Sequence, residues 1–526
     1  MTTLLTAQVA LPVHHATMMK WKVLVGAVMV QMILGTVYGY SVFWQPLEAT
    51  VWPAVVAAAP AGVPAAVASE TAQPPQEARL GYLKYAFAIC LLSFATAMIF
   101  AGRLQDLHGP RFTALLGGTI LGIGFLVAGQ LDHLVTFYLC HAALLGAMVL
   151  AALLALDAFC HGIDRLRYPI VAYLPHAVVT TAIVGGVALA QHQVSGNGAD
   201  RLLLLWGTIG LLAGVGIGFA YVCPIAALVK WFPEHKGLVS GVAVAGFGLG
   251  AYLFSGKSVL GAVGFIERYG ITTFFTVHGL VCAAVVSLGA LLLRNPPHAG
   301  SVLAAGRTAK TAVGDSTWQD VLRNPRFYVA WMMFFSGAMA GLMVIGILKP
   351  FAGAQLVAAA ERSSGAASAA IRDELILKGA TAVGVLALFN AAGRVVWGLL
   401  SDRIGRSPAM MLMFVSQAVT MLSLAALDTE FQLAVGAACV GFNFGGNFAL
   451  FPSLTADLFG SKNFGANYGW MFTSYGVAGV MGVWAGNAAQ RMTGSYFVAF
   501  AFAAALCFAS AILAVLLGRL NRLRST

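Results

Sequence analysis

From Leu202 to Val222 the chain reads LLLLWGTIGLLAGVGIGFAYV, a stretch without a single charged residue. As a helix it would rise about 30 Å, the thickness of the hydrocarbon core of a bilayer. Runs of this kind recur from end to end, and that recurrence is what most restricts the fold. In hydrocarbon every backbone N–H and C=O needs an internal partner, which leaves helices and closed barrels. A barrel requires ten-residue segments of alternating polarity, and these runs do not alternate. The expected fold class is therefore all-α integral membrane. Composition agrees: 9% of residues are charged and 60% hydrophobic, against roughly a quarter charged in soluble domains.

Fourteen spans are expected, at about 22–45, 82–102, 112–130, 134–156, 169–191, 202–229, 238–262, 272–293, 327–349, 379–400, 408–427, 432–452, 467–489 and 496–518. The net charge of +11 then reads as topology rather than as affinity for nucleic acid. RLQDLHGPR, DRLR, KWFPEHK, the stretch from Arg294 to Arg326, SDRIGR, GSK and the tail RLNRLR all fall on one side of the membrane. By the positive-inside rule that side is cytoplasmic, with both termini. Lys20 and Lys22 precede the first run, which is expected to stay as an uncleaved anchor. The bilayer is the one standing partner this implies, in a multi-pass protein of the cell membrane, with a bacterial inner membrane expected. The seven cysteines lie singly among apolar segments without ligand spacing, and read as small buried hydrophobes.

The chain divides in two. Residues 22–293 read as one helix bundle and 327–518 as another, joined by a polar cytoplasmic linker at 294–326 that ends in a short helix capped by Ser316 or Thr317. GRLQDLHGPR (102–111) and GLLSDRIGRS (398–407) share Gly-x-Leu-x-Asp-x-x-Gly with equal spacing. Asp106 and Asp402 are 296 residues apart (402 − 106), as are Gly109 and Gly405 (405 − 109). Each copy closes one run and opens the next. Glycine suits the turn, and the aspartate suits backbone donors at a helix N-terminus or a neighbouring arginine. The pattern supports either a latch between helix ends, built from Gly102, Asp106, Gly109 and Arg111 and from Gly398, Asp402, Arg403, Gly405 and Arg406, or a plain charged loop that anchors topology.

This repeated motif resembles the signature loop of the major facilitator superfamily. Three further stretches, VYGYSVFWQPLE (37–48), YVCPIAALVKWFPEHKGLVSGVAVAGFGLGA (221–251) and FNFGGNFALFPSLTADLFGSKNFGANYGWMFTSYGVAG (442–479), resemble its oxalate/formate antiporter family, which is related to monocarboxylate carriers. The resemblance implies two six-helix bundles around a central cavity, rocking to expose a small organic anion to each side in turn. It spans nearly the whole chain except residues 131–200, where two additional spans read as an inserted hairpin. That insertion carries His141, His161, His176, Asp157 and Asp164. His141 and His176 lie about 10 Å from opposite helix ends at 1.5 Å per residue, too far apart to face one iron. No cofactor and no metal are expected.

Arg394 is the charge that needs explaining. It lies within an apolar run, about 12 Å along the helix from Asp402, at a depth where a charge costs about 2.5–3.5 kcal/mol. Snorkelling to the surface is one reading; a cavity-facing guanidinium that binds a carboxylate bidentately is the other. Asn390 lies one turn earlier on the same face. The resemblance implies the second reading, because the family's binding arginine falls in a pattern matching FNAAGR. A lysine that its oxalate-handling members place in the eleventh core helix is replaced by Tyr475, in FTSYG. One arginine matches one carboxylate, so formate, lactate or pyruvate is favoured over oxalate. Related proton-coupled carriers place an aspartate where Asn390 stands, which leans the reading towards exchange. Tyr38, Gln45, Tyr221, Trp397, Asn443 and Asn447 are further cavity candidates. Lys257 and Lys349 read as anchors near outer helix ends.

The function expected from the sequence is secondary transport of a small organic anion by alternating access, in a monomer with no enzymatic activity. A membrane sensor binding the same anion without transport is the alternative; an integral-membrane enzyme built on the inserted histidines is disfavoured by their depth.

Overall fold

The computed structural model describes residues 13–52, 76–131, 199–255, 261–296, 315–365 and 368–522. Among these every regular element is helical, and ten helices are long and apolar enough to cross a membrane. The expected spans at 134–156 and 169–191 lie outside the described residues, as do the five polar residues of the insertion and Lys257.

In chain order the helices are α1 (Val13–Leu34), α2 (Trp44–Val51), α3 (Gln76–His108), α4 (Pro110–Ala128), α5 (Ala199–Leu205), α6 (Ala213–Trp231), α7 (Lys236–Ser255), α8 (Ala262–Tyr269), α9 (Ile271–Leu292), α10 (Trp318–Arg323), α11 (Pro325–Ser364), α12 (Ala369–Ile404), α13 (Arg406–Leu424), α14 (Glu430–Phe459), α15 (Phe464–Thr493) and α16 (Phe497–Arg522). A π-helical segment, Trp206–Leu212, joins α5 to α6. Helices α1, α3, α4, α6, α7 and α9 pack on one another, and α11 to α16 form a second group. The groups meet along two seams, α3 against α15 and α7 against α12.

Glycine decides how close those seams are. A Cβ on Gly102 would lie 1.9 Å from the carbonyl oxygen of Gly465, and one on Gly398 would lie 2.3 Å from that of Gly237. The first glycine of each repeated motif therefore sits inside a helix, where two backbones touch. The turns belong to Gly109 and Gly405, whose φ angles of 85° and 92° are open to glycine and strained for other residues. The two seams are pseudo-equivalent, yet 135 residues separate Gly102 from Gly237 (237 − 102) and 67 separate Gly398 from Gly465 (465 − 398). The surplus falls in the first half, across the interval 131–200.

Several helix bounds differ from the sequence expectation. The run at 22–45 is not one α-helix: α1 stops at Leu34, a 3-10 segment covers Gly35–Phe43, and α2 follows. Two glycines and three β-branched residues within Gly35–Phe43 weaken the α-helix there, and Gly35 packs directly on the backbone of Phe247. Helix α11 does not end near Lys349 but continues to Ser364, and α12 already begins at Ala369. Hydropathy marks where lipid ends, whereas the alanine-rich stretch after Pro350 keeps the helix going. Gly365, at φ 81°, stops it. Ion pairs Arg372–Glu361 and Arg362–Asp428 tie the overhang together. At the linker, Thr317 is the cap of α10 in a capping box with Asp320. The hydrogen bonds from Thr317 hold the Asp320 carboxyl below the usual carboxylate range.

Candidate functional site

Helix α12 carries its one buried arginine into the space between the two groups. Glycines clear the way on both sides: a Cβ on Gly241 of α7 would lie 2.2 Å from the carbonyl oxygen of Arg394, and one on Gly445 of α14 would lie 2.1 Å from that of Asn390. Arg394 is 0% exposed. Its Nε donates to Asn390 Oδ1 at 3.0 Å, and its Nη1 donates to the Val244 carbonyl oxygen of α7 at 2.5 Å. The guanidinium thus bridges the two groups. Its Nη2 has no partner. Leaving a buried polar donor unmet costs about 1–3 kcal/mol, more when it is charged.

Aromatic rings enclose the guanidinium. The Phe448 ring centre is 4.5 Å from Cζ and that of Phe247 is 5.5 Å away, both within cation–π range. Tyr38 packs edge-on to Phe247 at 5.0 Å, and its hydroxyl shares a 2.6 Å hydrogen bond with that of Tyr475. Tyr38 comes from the 3-10 segment and Tyr475 from α15, so this bond also crosses between the groups. Tyr221 and Phe94 continue the wall at 5.0 Å from each other, with Phe472 against both. Tyr475 is 4.8 Å from Phe472 and 5.4 Å from Phe448.

Arg394, Asn390, Tyr38, Tyr221 and Tyr475 are therefore brought together. Trp397, Asn443 and Asn447 are placed elsewhere. The Trp397 ring packs on Phe442 at 5.7 Å, between α12 and α14. Asn443 donates to Ser416 of α13, and Asn447 bonds the carbonyls of Asn443 and Phe444, with its oxygen towards Gly337 of α11. Both amides donate within the second group, and the side-chain oxygen of each is buried without a partner. Gln45 lies in α2, with its side chain outside the described residues. Sequence reading missed Tyr468, Phe448, Phe472 and the Val244 carbonyl. Tyr468 lies seven residues, two helical turns, before Tyr475, so its spacing was available as a signal. A backbone carbonyl leaves none. His278, also passed over, is buried between Thr36 (3.2 Å) and Cys282 (3.3 Å), stacked on Phe274.

At the charged-loop end the two motif aspartates do the same thing on opposite seams. Asp106 accepts from the N–H groups of Gly465 and Ala466 at 3.1 and 2.8 Å, at the start of α15. Asp402 accepts from those of Gly237 and Leu238 at 3.0 and 2.8 Å, at the start of α7. Each carboxylate thus meets two free donors and the positive end of a helix dipole from the other group. Lys230 lies 3.6 Å from Asp106. Arg406 bonds Asp402 at 2.7 Å, Ser401 at 2.6 Å and Asp457 at 2.8 Å, and Lys236 adds 2.8 Å to Asp457. Arg111 reaches the Leu291 carbonyl within its own group, and Arg403 is exposed.

Converting both aspartates to asparagine removes the charge from each contact and leaves its size. With Ser401→Cys as reporter, a residue 1% exposed, the double change Asp106→Asn, Asp402→Asn is expected to speed labelling by a polar maleimide about tenfold or more, at about 1 kcal/mol per charged contact. An unchanged rate would mean that the carboxylates do not hold this end closed.

The chain matches the Major Facilitator Superfamily over residues 174–372 and 376–525. It is 25% identical over 467 residues to an uncharacterized MFS-type transporter, YhjX, of Escherichia coli (strain K12), covering 88% of this chain and 86% of that one. It is 31% identical over 274 residues to the oxalate:formate antiporter of Oxalobacter formigenes, covering 52% of this chain and 59% of the antiporter. Over 346 residues it is 27% identical to apicoplast pyruvate carrier 1 of Toxoplasma gondii, covering 56% and 61% respectively.

Proposed function

The chain belongs to the major facilitator superfamily, and from that premise we propose that it is a secondary carrier of a small monocarboxylate, such as formate, lactate or pyruvate, working by alternating access with exchange favoured. Its relatives are transporters, among them ones named for oxalate, formate and pyruvate, which supports a small organic anion as substrate. One observation carries the reading: a fully buried guanidinium between two helix groups, with one N–H pair unpartnered inside an aromatic cage. A carboxylate is the ligand that meets that donor and that charge.

The finer choice of a monocarboxylate rests on what surrounds Arg394. The rings around it contribute hydroxyls, and Tyr475, which stands where the oxalate-handling relatives are expected to carry lysine, already bonds Tyr38. A second carboxylate would bring a second charge into a site of low dielectric that has no second cation among the described residues. The binding residues are Arg394, Asn390, Tyr38, Tyr221 and Tyr475, with the substrate displacing Nη1 from Val244 as the two groups separate. Residues 22–293 and 327–518 act as the rocking bundles and 294–326 as their cytoplasmic linker. The charged-loop end faces the cytoplasm of a bacterial cell, with both termini. Asp106 and Asp402 act as the latch of that face, and release as the carrier opens inward.

Counterflow tests this. Purified protein in liposomes loaded with unlabelled pyruvate, formate or lactate takes up the same labelled anion several times faster than empty liposomes do. Equal uptake into loaded and empty liposomes would remove the exchange assignment. No uptake of any of the three in either would remove the carrier assignment.

A further inference from the structure

Besides Arg394 Nη2, two more buried polar atoms of the cage lack a partner: the hydroxyls of Tyr221 and Tyr468. Tyr221 is 1% exposed and Tyr468 0%. They come from different sides, Tyr221 from α6 of the first group and Tyr468 from α15 of the second. The Phe247 ring lies 5.6 Å from that of Tyr221 and 5.5 Å from the Arg394 guanidinium, so the two tyrosines and the charge share one aromatic wall. The Phe472 ring fixes both, 5.3 Å from Tyr221 and 5.7 Å from Tyr468. Tyr221 is also set edge-on between Phe94 at 5.0 Å and Phe247 at 5.6 Å, and Tyr468 is stacked on Phe464 at 5.4 Å. Tyr38 and Tyr475 nearby behave differently, since each satisfies the other.

Three unmet donors in one buried cage suit one ligand whose oxygens accept. Guanidinium N–H groups donate and never accept. Two phenols can both donate when an anion lies between them, and the bond strengthens because the acceptor is charged. We propose that Tyr221 and Tyr468 form a specificity-determining hydroxyl pair that binds one oxygen of the substrate carboxylate while Arg394 Nη2 binds the other. The site then favours a fully deprotonated carboxylate over the amide or the protonated acid, each of which lacks the charge that Arg394 meets and offers only one strong acceptor oxygen. The remaining walls, Phe94, Phe448 and Phe472, suit a short, weakly polar remainder. The pair also spans the two helix groups, so a bound carboxylate ties them together through three residues. This inference rests on the reading of Arg394 as the anion's counter-charge.

The test uses full-length protein in detergent, with pyruvate and its uncharged amide pyruvamide as probes in calorimetric titrations. Wild type is expected to bind pyruvate and to discriminate strongly against pyruvamide. Tyr221→Phe and Tyr468→Phe keep their rings and lose only the hydroxyl. Each is expected to weaken pyruvate binding about tenfold or more and to narrow the pyruvate-to-pyruvamide ratio, while unliganded melting temperatures stay near wild type. If both variants bind pyruvate as wild type does while Arg394→Ala loses it, the hydroxyl pair is merely packing and this inference falls alone. If wild type shows no preference for pyruvate over pyruvamide, or Arg394→Ala binds unchanged, the Arg394 reading falls as well. Should one phenylalanine variant not fold, the other decides.

Discussion

Arg394→Ala is expected to cut anion uptake by about a hundredfold or more and to leave the unliganded protein as stable as wild type. The two halves of that result have different causes. Binding falls because a carboxylate brought into the cage would lose its counter-charge, and breaking a buried ion pair costs about 3–5 kcal/mol, or about two to three and a half decades in affinity. Stability holds because Arg394 is itself costly to bury: its charge is 0% exposed and its Nη2 meets no acceptor from the protein. Alanine removes that unmet donor along with its bonds to Asn390 and Val244, so losses and gains offset. Arg394→Lys should fall between, since an ammonium keeps the charge but not the planar fork. Labelled-pyruvate uptake in liposomes gives the first half. Thermal unfolding with and without pyruvate gives the second, because a ligand that binds the native state raises its melting temperature, and that rise should vanish in the alanine variant. An alanine variant that transports normally would end the proposal; one that melts far below wild type would show Arg394 to be a structural tie first.

How much of this was written in the sequence varies with the physics involved. Arg394 stands out because a charge inside an apolar run is costly wherever the helix sits, and the four-residue spacing to Asn390 already places both on one face. The Nε to Oδ1 bond follows from that spacing alone. Tyr468 was not legible in the same way. An aromatic at helical spacing looks like packing until a second helix is known to face it, and only the approach of α15 to α6 brings its ring and that of Tyr221 onto Phe472. Trp397, Asn443 and Asn447 are placed away from the guanidinium cage. Their types suit a polar cavity, yet they face Phe442, Ser416 and Gly337 inside one group, because a residue's direction around its helix depends on neighbours that sequence spacing does not name. The overhang of α11 and α12 escaped for another reason: hydropathy locates the edge of lipid, while helix propensity and a positive-φ glycine locate the end of the helix.

The motif glycines carry the second large effect. Gly102 and Gly398 fit the pattern of a turn, but the turns are made by Gly109 and Gly405. What Gly102 contributes is the absence of a methyl group. Its Cβ would stand 1.9 Å from the carbonyl oxygen of Gly465, where ordinary non-bonded contact needs about 3.5 Å. Both atoms belong to or adjoin backbone, so neither can rotate away, and α3 and α15 must part by about 1.5 Å. Asp106 lies one turn further along α3, and its bonds to Gly465 and Ala466, now 3.1 and 2.8 Å, would lengthen past hydrogen-bonding distance. Gly102→Ala should therefore remove one latch outright and hold the charged end open. Transport is expected to fall by about a hundredfold, because overpacking of this kind costs about 1–3 kcal/mol and the lost charged contact adds to it. Folding should survive, since the helices are free to separate in the open form. Gly398→Ala meets Gly237 at 2.3 Å, a milder clash, so it should impair transport less. The order Gly102→Ala below Gly398→Ala below wild type, read as exchange rates, with faster maleimide labelling of Ser401→Cys in the same order, is the outcome this geometry requires. Equal rates in all three would mean that these two seams need not close for transport.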